Sequence, residues 1–288
     1  GILVEMDLQK VHMQAPAKIN LSLTVAPPRE NGLHPISSKM AKIALFDDLE
    51  LTRLDDHALS RYAILWHDDA PKPTGIDWPV KDDLAVRAHR ALEEQVGKLL
   101  PVQLKLQKRI PVRGGLGGGS ADAAAMLQAT VALFDLDVDI QEIAPTIGSD
   151  VPFSLCDGAG EVSGIGEVVS PMQLDAMHLV LIIPEYGCET AKVYEAFDAL
   201  GCKSEDGVLN DLLVPACKVE GRLAADFDAL RKLSELEVHL SGSGSSMFII
   251  CDNAQQASAL TIDIEKQTKH VALATQTYAP PLRVMERM

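Results

Sequence analysis

From residue 18 to residue 25 polar and apolar positions alternate without a break: Lys18, Asn20, Ser22 and Thr24 on one face, Ile19, Leu21, Leu23 and Val25 on the other. A period of two predicts a half-buried strand and sends Lys18 and Asn20 to the same side. There they either meet a substrate or form a solvated strand face. Val102, Leu104 and Leu106 alternate with Gln103, Lys105 and Gln107 and predict a second strand. Helical spacing follows at residues 82–92 and after Ser120, which is placed to cap its helix with Asp122 in the first turn. Asp139 and Glu142 resemble a capping box for a short helix that Gly148 ends. Residues 68–79, with Pro71, Pro73, Gly75 and Pro79, read as a surface loop.

Around Pro171 the pattern changes. The remainder reads as a strand at 179–183, helices at 191–200 and 221–230, strands at 237–240 and 247–251, a helix at 254–266 and a strand at 271–275. Apart from the extra helix this is a split βαβ order. The expectation is a two-domain α+β fold divided into residues 1–170 and 171–288.

The most distinctive stretch is Pro111-Val112-Arg113-Gly114-Gly115-Leu116-Gly117-Gly118-Gly119-Ser120, lying between the strand at Val102 and a helix. Glycines free the backbone to turn its N–H groups toward one point, and a helix N-terminus adds a favourable field for negative charge. Such a loop suits phosphate. It ends without the Lys-Ser/Thr of a P-loop and lacks the Rossmann spacing, so neither familiar nucleotide motif applies. A second run, Ser241-Gly242-Ser243-Gly244-Ser245-Ser246, joins two expected strands and is longer than a tight hairpin needs. Asp150, in Gly148-Ser149-Asp150-Val151-Pro152-Phe153, either caps a helix or serves as a functional carboxylate near Lys18. His34 lies in a loop rich in proline, asparagine and glycine.

Composition narrows the function. Lys+Arg 26 against Asp+Glu 41 gives a net charge of -15, which repels polyanions and removes the usual footprint of nucleic-acid binding. Five cysteines without a Cys-x-x-Cys pair predict a reduced, cytoplasmic protein. No apolar run is long enough for a membrane span. The first fourteen residues lack the pattern of a signal peptide and predict an edge strand or a non-native remnant.

Three separated motifs, Pro16-Ala17-Lys18-Ile19-Asn20-Leu21, the glycine run with Ala121-Asp122-Ala123-Ala124, and Leu240 to Ser246, together resemble the superfamily of galactokinase, homoserine kinase, mevalonate kinase and phosphomevalonate kinase. Gly32-Leu33-His34, the segment 148–153 and Asn210-Asp211-Leu212 are similar, within it, to the 4-diphosphocytidyl-2-C-methyl-D-erythritol kinase family of the non-mevalonate isoprenoid pathway. The resemblance implies a ribosomal-protein-like N-terminal domain, a ferredoxin-like C-terminal domain and ATP with Mg²⁺ as cofactors. It implies Asp150 as base and Lys18 as its cationic partner. The loop Pro111 to Ala121 would wrap the ATP phosphates. Asn20, His34, Thr190 and Tyr194 would hold the small-molecule substrate, with Gly242, Ser243 and Gly244 closing the site. It further implies no nucleic-acid or membrane partner and a monomer or weak homodimer. Leu33 stands where relatives commonly have tyrosine, and Ala121 where they commonly have a second serine, which leaves the metal ligands unassigned. The alternatives are another small-alcohol kinase of the superfamily, or a non-catalytic RNA-binding relative.

Overall fold

The computed structural model describes residues 1–278; residues 279–288, the tail of the expected second domain, lie outside the described residues. The first half contains β1 (Ile2–Met6), β2 (Lys10–Val25), β3 (Ile36–Arg53), β4 (Arg61–Trp66), α1 (Leu84–Val96), β5 (Val102–Lys108), α2 (Gly118–Phe134), α3 (Ile140–Ile147), α4 (Val151–Leu155), β6 (Ala159–Gly164) and β7 (Val168–Met172). The second contains β8 (His178–Ile183), α5 (Thr190–Ala199), α6 (Leu213–Val219), α7 (Gly221–Ser234), β9 (His239–Leu240), β10 (Met247–Cys251), α8 (Ala254–Thr268) and β11 (Val271–Tyr278). The strands run in the order β1-β2-β3-β11-β8-β10-β9, with β5 and β6 also pairing β3, β4 parallel to β5, and β7 on β6. β11 is the junction: it pairs β8 from Val271 to Gln276 and β3 at Thr277 and Tyr278.

The strand expected from residue 18 begins at Lys10 and is interrupted by bulges between Pro16 and Lys18 and between Asn20 and Ser22. Bulges re-aim side chains, and here both faces turn inward: Lys18, Ile19 and Asn20 are all buried. The solvated-face alternative is therefore excluded. β3 was not legible from pattern because Met40, Ala41, Lys42 and Ile43 are buried in succession and Asp47 is buried as well, so a central strand carries charges that read as loop.

Two helix starts change and a third is as expected. α1 starts at Leu84, two residues late, because residues 80–82 form a 3₁₀ turn and the Asp83 carboxylate accepts from the Ala85 N–H at 2.9 Å. α2 starts at Gly118, with Gly117 in the left-handed region as its N-cap, so Ser120 lies inside the first turn and Asp122 beyond it. Asp139 caps α3 through the Gln141 N–H, with Glu142 in the first turn. Residues 68–79 are pinned at both ends, where Trp66 Nε1 donates to the Thr74 carbonyl and Trp78 Nε1 to Asp83.

The alanines of α2 let it pack closely on α1 and β2. Its apolar side joins Leu49, Leu51, Leu92, Leu104 and Leu106 in one core. A second core lies under α5 to α8, around Val193, Phe197, Phe227 and Leu230. A third joins Ile19, Ile43, Leu181 and Phe248 across the β3–β11–β8 junction.

Candidate active site

The glycine run gains its shape from its neighbours. The carbonyls of Arg113, Gly114, Gly115 and Leu116 all accept hydrogen bonds, from Ser245 N and Cys188 N, Ser246 N, Ser241 Oγ and Lys18 N respectively. No backbone N–H from residue 112 to residue 119 donates to a described residue outside α2. With its acceptors tied from outside, the loop leaves these donors without a described partner beside a cavity of about 160 Å³ lined by Lys108 and residues 110–119. Convergent amides ahead of a helix make an anion cradle. Ser120 and Ala121 lie outside that lining; Ala121 packs in the first core. The close approach explains the glycines: a Cβ at Gly115 would sit 2.1 Å from the Ser241 carbonyl oxygen, and one at Gly117 would sit 2.9 Å from Lys18 Cγ.

Lys18 leaves β2 between the two glycine stretches. Its Nζ donates to Asn20 Oδ1 at 2.5 Å and lies 3.8 Å from Asp150 Oδ2. Asn20 is itself oriented by donating to Ser38 Oγ at 2.9 Å. Burial lowers the Lys18 pKa below the usual lysine value, while Asp150 opposes the shift. Asp150 occupies the N-cap position of α4, yet its side chain makes no capping hydrogen bond. Of the two sequence readings of Asp150, the geometry favours the carboxylate that faces Lys18.

The second glycine-serine run is buried throughout. Asn210, which sequence motif alone gave no task, fixes it by donating to the carbonyls of Leu240 (3.0 Å) and Gly242 (2.8 Å). Thr190 Oγ1 and Ser243 Oγ are 2.9 Å apart. His34 Nε2 meets Asp198 Oδ1 at 2.6 Å, and its ring packs 4.9 Å from Tyr194 and 5.9 Å from Phe197. Burial pushes the Tyr194 phenol up to about 12, and the Asp150 charge adds to the shift. Lys18, Asn20 and Asp150 thus form one group and His34 and Tyr194 a second, and the stem of Lys18 also reaches the cradle at Gly117. Leu33 is 47% exposed.

Two groups are not assembled by any sequence pattern, although Asp122 is singled out there as a helix-start charge. Lys108 Nζ bridges Asp47 Oδ2 (2.7 Å) and Asp122 Oδ2 (2.6 Å) beneath the cradle, all three buried, and Asp47 Oδ1 also takes the N–H groups of Arg109 and Ile110. The two aspartates hold the Lys108 pKa above the ordinary value against burial; burial, then the Asp47 charge, raises that of Asp122. Lys42, opposite Lys18 on the β2–β3 ladder, donates to the Cys156 carbonyl at the far end of α4, and burial lowers its pKa to about 8. These residues come from elements far apart in sequence, and no local pattern announces them.

An anion cradle beside a lysine–aspartate pair, on this mixed sheet, defines a small-molecule kinase fold. Residues 83–158 match the family described as GHMP kinases N terminal domain. A 4-diphosphocytidyl-2-C-methyl-D-erythritol kinase of Thermoanaerobacter pseudethanolicus is 32% identical over 90% of this chain and 93% of its own. One of Polaromonas naphthalenivorans is 34% identical over 85% and 87%. The crystal structure of a 4-(cytidine 5'-diphospho)-2C-methyl-D-erythritol kinase superposes with a TM-score of 0.75 at 30% identity, covering 93% of this chain and all of that one. A crystal structure of L. major mevalonate kinase shares the fold alone, at a TM-score of 0.67 and 12% identity, covering 96% of this chain and 97% of that one. The chain belongs to the 4-diphosphocytidyl-2-C-methyl-D-erythritol kinase family. Among the described residues, no helix is long and apolar enough to cross a membrane.

Proposed function

We propose that this protein transfers the γ-phosphoryl group of ATP to the 2-hydroxyl of 4-diphosphocytidyl-2-C-methyl-D-erythritol. The observation that carries the chemistry is the Lys18–Asp150 pair at the open side of an amide-lined cradle. Asp150 takes the hydroxyl proton as the oxygen attacks the γ-phosphorus and the bond to the bridging oxygen of ADP breaks. Lys18 orients that carboxylate and offsets charge developing on the transferred group. Residues 111–121 hold the phosphates, while Asn20, His34, Thr190 and Tyr194 hold the acceptor. Gly242, Ser243 and Gly244 close the cleft.

Mg²⁺ fits this site as an ion carried by the nucleotide. Asp150, beside Lys18, is the carboxylate that would face it. Such a donor set suits an ion that keeps water and phosphate oxygens as most of its ligands. When bound it neutralises phosphate charge.

The finer fold reading is a ribosomal-protein-like domain over residues 1–170 and a ferredoxin-like domain over 171–288. It is supported in the second half by the antiparallel order β11-β8-β10-β9. A cytoplasmic monomer or weak homodimer without nucleic-acid or membrane partners is proposed with it. ADP release measured with 4-diphosphocytidyl-2-C-methyl-D-erythritol, mevalonate and homoserine as acceptors tests the function. The first should have by far the highest kcat/KM. A higher kcat/KM for mevalonate would sink the assignment.

A further inference from the structure

ATP brings up to four negative charges to a chain whose own net charge is -15, so the cations around the cradle decide how tightly the phosphates are held. Most are already committed. Lys108, one of the two cations lining the cavity, is buried and bound to two aspartates. Arg109 is paired with Asp48 and Asp69 at 2.6 Å each. Lys18 faces Asn20 and Asp150. Arg113 differs: it lines the cavity, its side chain is 60% exposed, and its ion-pair partner is the equally exposed Asp77 at 3.5 Å.

The backbone of Arg113 is also unusual. Five non-glycine residues of the described chain have positive φ. Asp135, Glu235 and Lys269 stand at helix C-caps and Cys202 just beyond α5, places where the left-handed region is common. Arg113, at φ 56°, stands at no helix end, between Val112 and Gly114. A Cβ in that region is strained, and glycine would satisfy the conformation at no steric cost. Strain retained at a site is an invitation to ask what the side chain does there.

We infer that the Arg113 guanidinium is a phosphate ligand, a charged clamp on the polyphosphate of the nucleotide that exchanges Asp77 for phosphate oxygens when ATP enters. The inference rests on the ATP-dependent reading above. Its chemistry is that of guanidinium and phosphate, whose fork geometry allows two parallel hydrogen bonds. A phosphate that is both closer and more highly charged displaces an exposed carboxylate at 3.5 Å readily, since exposed pairs are weak. The cradle amides fix where the phosphates sit; Arg113 supplies the charge that neutral amides lack.

The test is Arg113→Gly, with Kd measured for ATP, ADP and adenosine, and thermal melts alongside. Losing a charge-assisted contact should weaken ATP and ADP by about 10-fold or more, leave adenosine within about twofold, and flatten the salt dependence of ATP binding. Tm should hold or rise by about 2 °C as the left-handed strain is relieved. Arg113→Lys should fall between the two, since it keeps the charge and loses the fork. ATP affinity unchanged in Arg113→Gly, or adenosine weakened as much as ATP, would overturn the inference. Failure of the wild-type protein to bind ATP at all would instead overturn the kinase reading on which it rests.

Discussion

Lys18 and Lys108 are the same residue at nearly the same depth, 5% and 3% exposed, and their surroundings drive them in opposite directions. Lys108 is held by two carboxylates at hydrogen-bond distance, and its pKa rises; Lys18 has one carboxylate at 3.8 Å and an amide, and its pKa falls. A buried cation with saturated partners is an anchor. One with an incomplete set is poised to answer charge that arrives later. Lys108 fastens β5 to β3 and α2, the elements that carry the cradle, while Lys18 stands at the cradle's open edge.

The comparison predicts that the two residues fail differently. Lys18→Met should lower kcat by about 10²–10³-fold, and Asp150→Asn by about 10²–10⁴-fold, with nucleotide Kd nearly unchanged. The double variant should be little worse than either, because the two act as a unit. Single-turnover rates beside thermal melts check this; full activity in Asp150→Asn would remove the base and the comparison with it.

Lys108→Met should show the reverse, a loss of about 3–5 kcal/mol in stability from two stranded carboxylates, read by urea unfolding. Near-normal stability would mean that Asp47 and Asp122 do not depend on the lysine.

Alkaline pH should separate the pair without mutation. The Lys18 pKa is depressed, so its charge, and with it kcat, is lost on a limb below the ordinary lysine value of 10.5. Burying charged Lys18 costs stability below that limb, and the cost disappears as pH rises. The Lys108 pKa is raised, so its stabilisation is full below 10.5 and is lost only as pH passes its folded value. Activity should therefore fall before Tm does. A pH–rate profile tracked with melts tests the order, and simultaneous loss would contradict it.

The smallest effects sharpen the picture. Asp122→Asn keeps the shape and an acceptor for Lys108 while removing a buried charge whose other oxygen, Oδ1, has no partner. Urea midpoints should change by no more than about 1 kcal/mol. Leu33→Tyr should tighten the cytidine substrate by about 1 kcal/mol if an aromatic face stacks on the base; calorimetry with no change would place residue 33 outside the pocket.

Much of the cleft was legible because its parts carry local signatures. A glycine run between strand and helix, alternation placing Lys18 beside Asn20, and Asp150 before a Val-Pro pair are all short-range facts. The Lys108 bridge was not legible: Asp47 is 61 residues from Lys108 in sequence, and an aspartate in a central strand reads as a turn. Asp122, read as a helix-start charge, lies deeper because α2 begins at Gly118. β3 escaped because burial on both faces erases the alternation by which a strand is recognised. The start of α1 lies two residues later than expected because Asp83 is the side chain that reaches an N–H, and that of α2 three residues earlier because Gly117, in the left-handed region, opens the helix with no side-chain cap.

The position of β11 has a consequence for how the chain is made. It follows every other described element in sequence, yet it lies at the centre of the strand order, between β3 and β8. A nascent chain that has not yet exposed residues 271–278 cannot join the two halves of the sheet, whatever each half has folded on its own. The two halves are therefore joined only after every other described element has been made, and earlier lengths of chain leave the pairing edges of β3 and β8 open to the wrong neighbour.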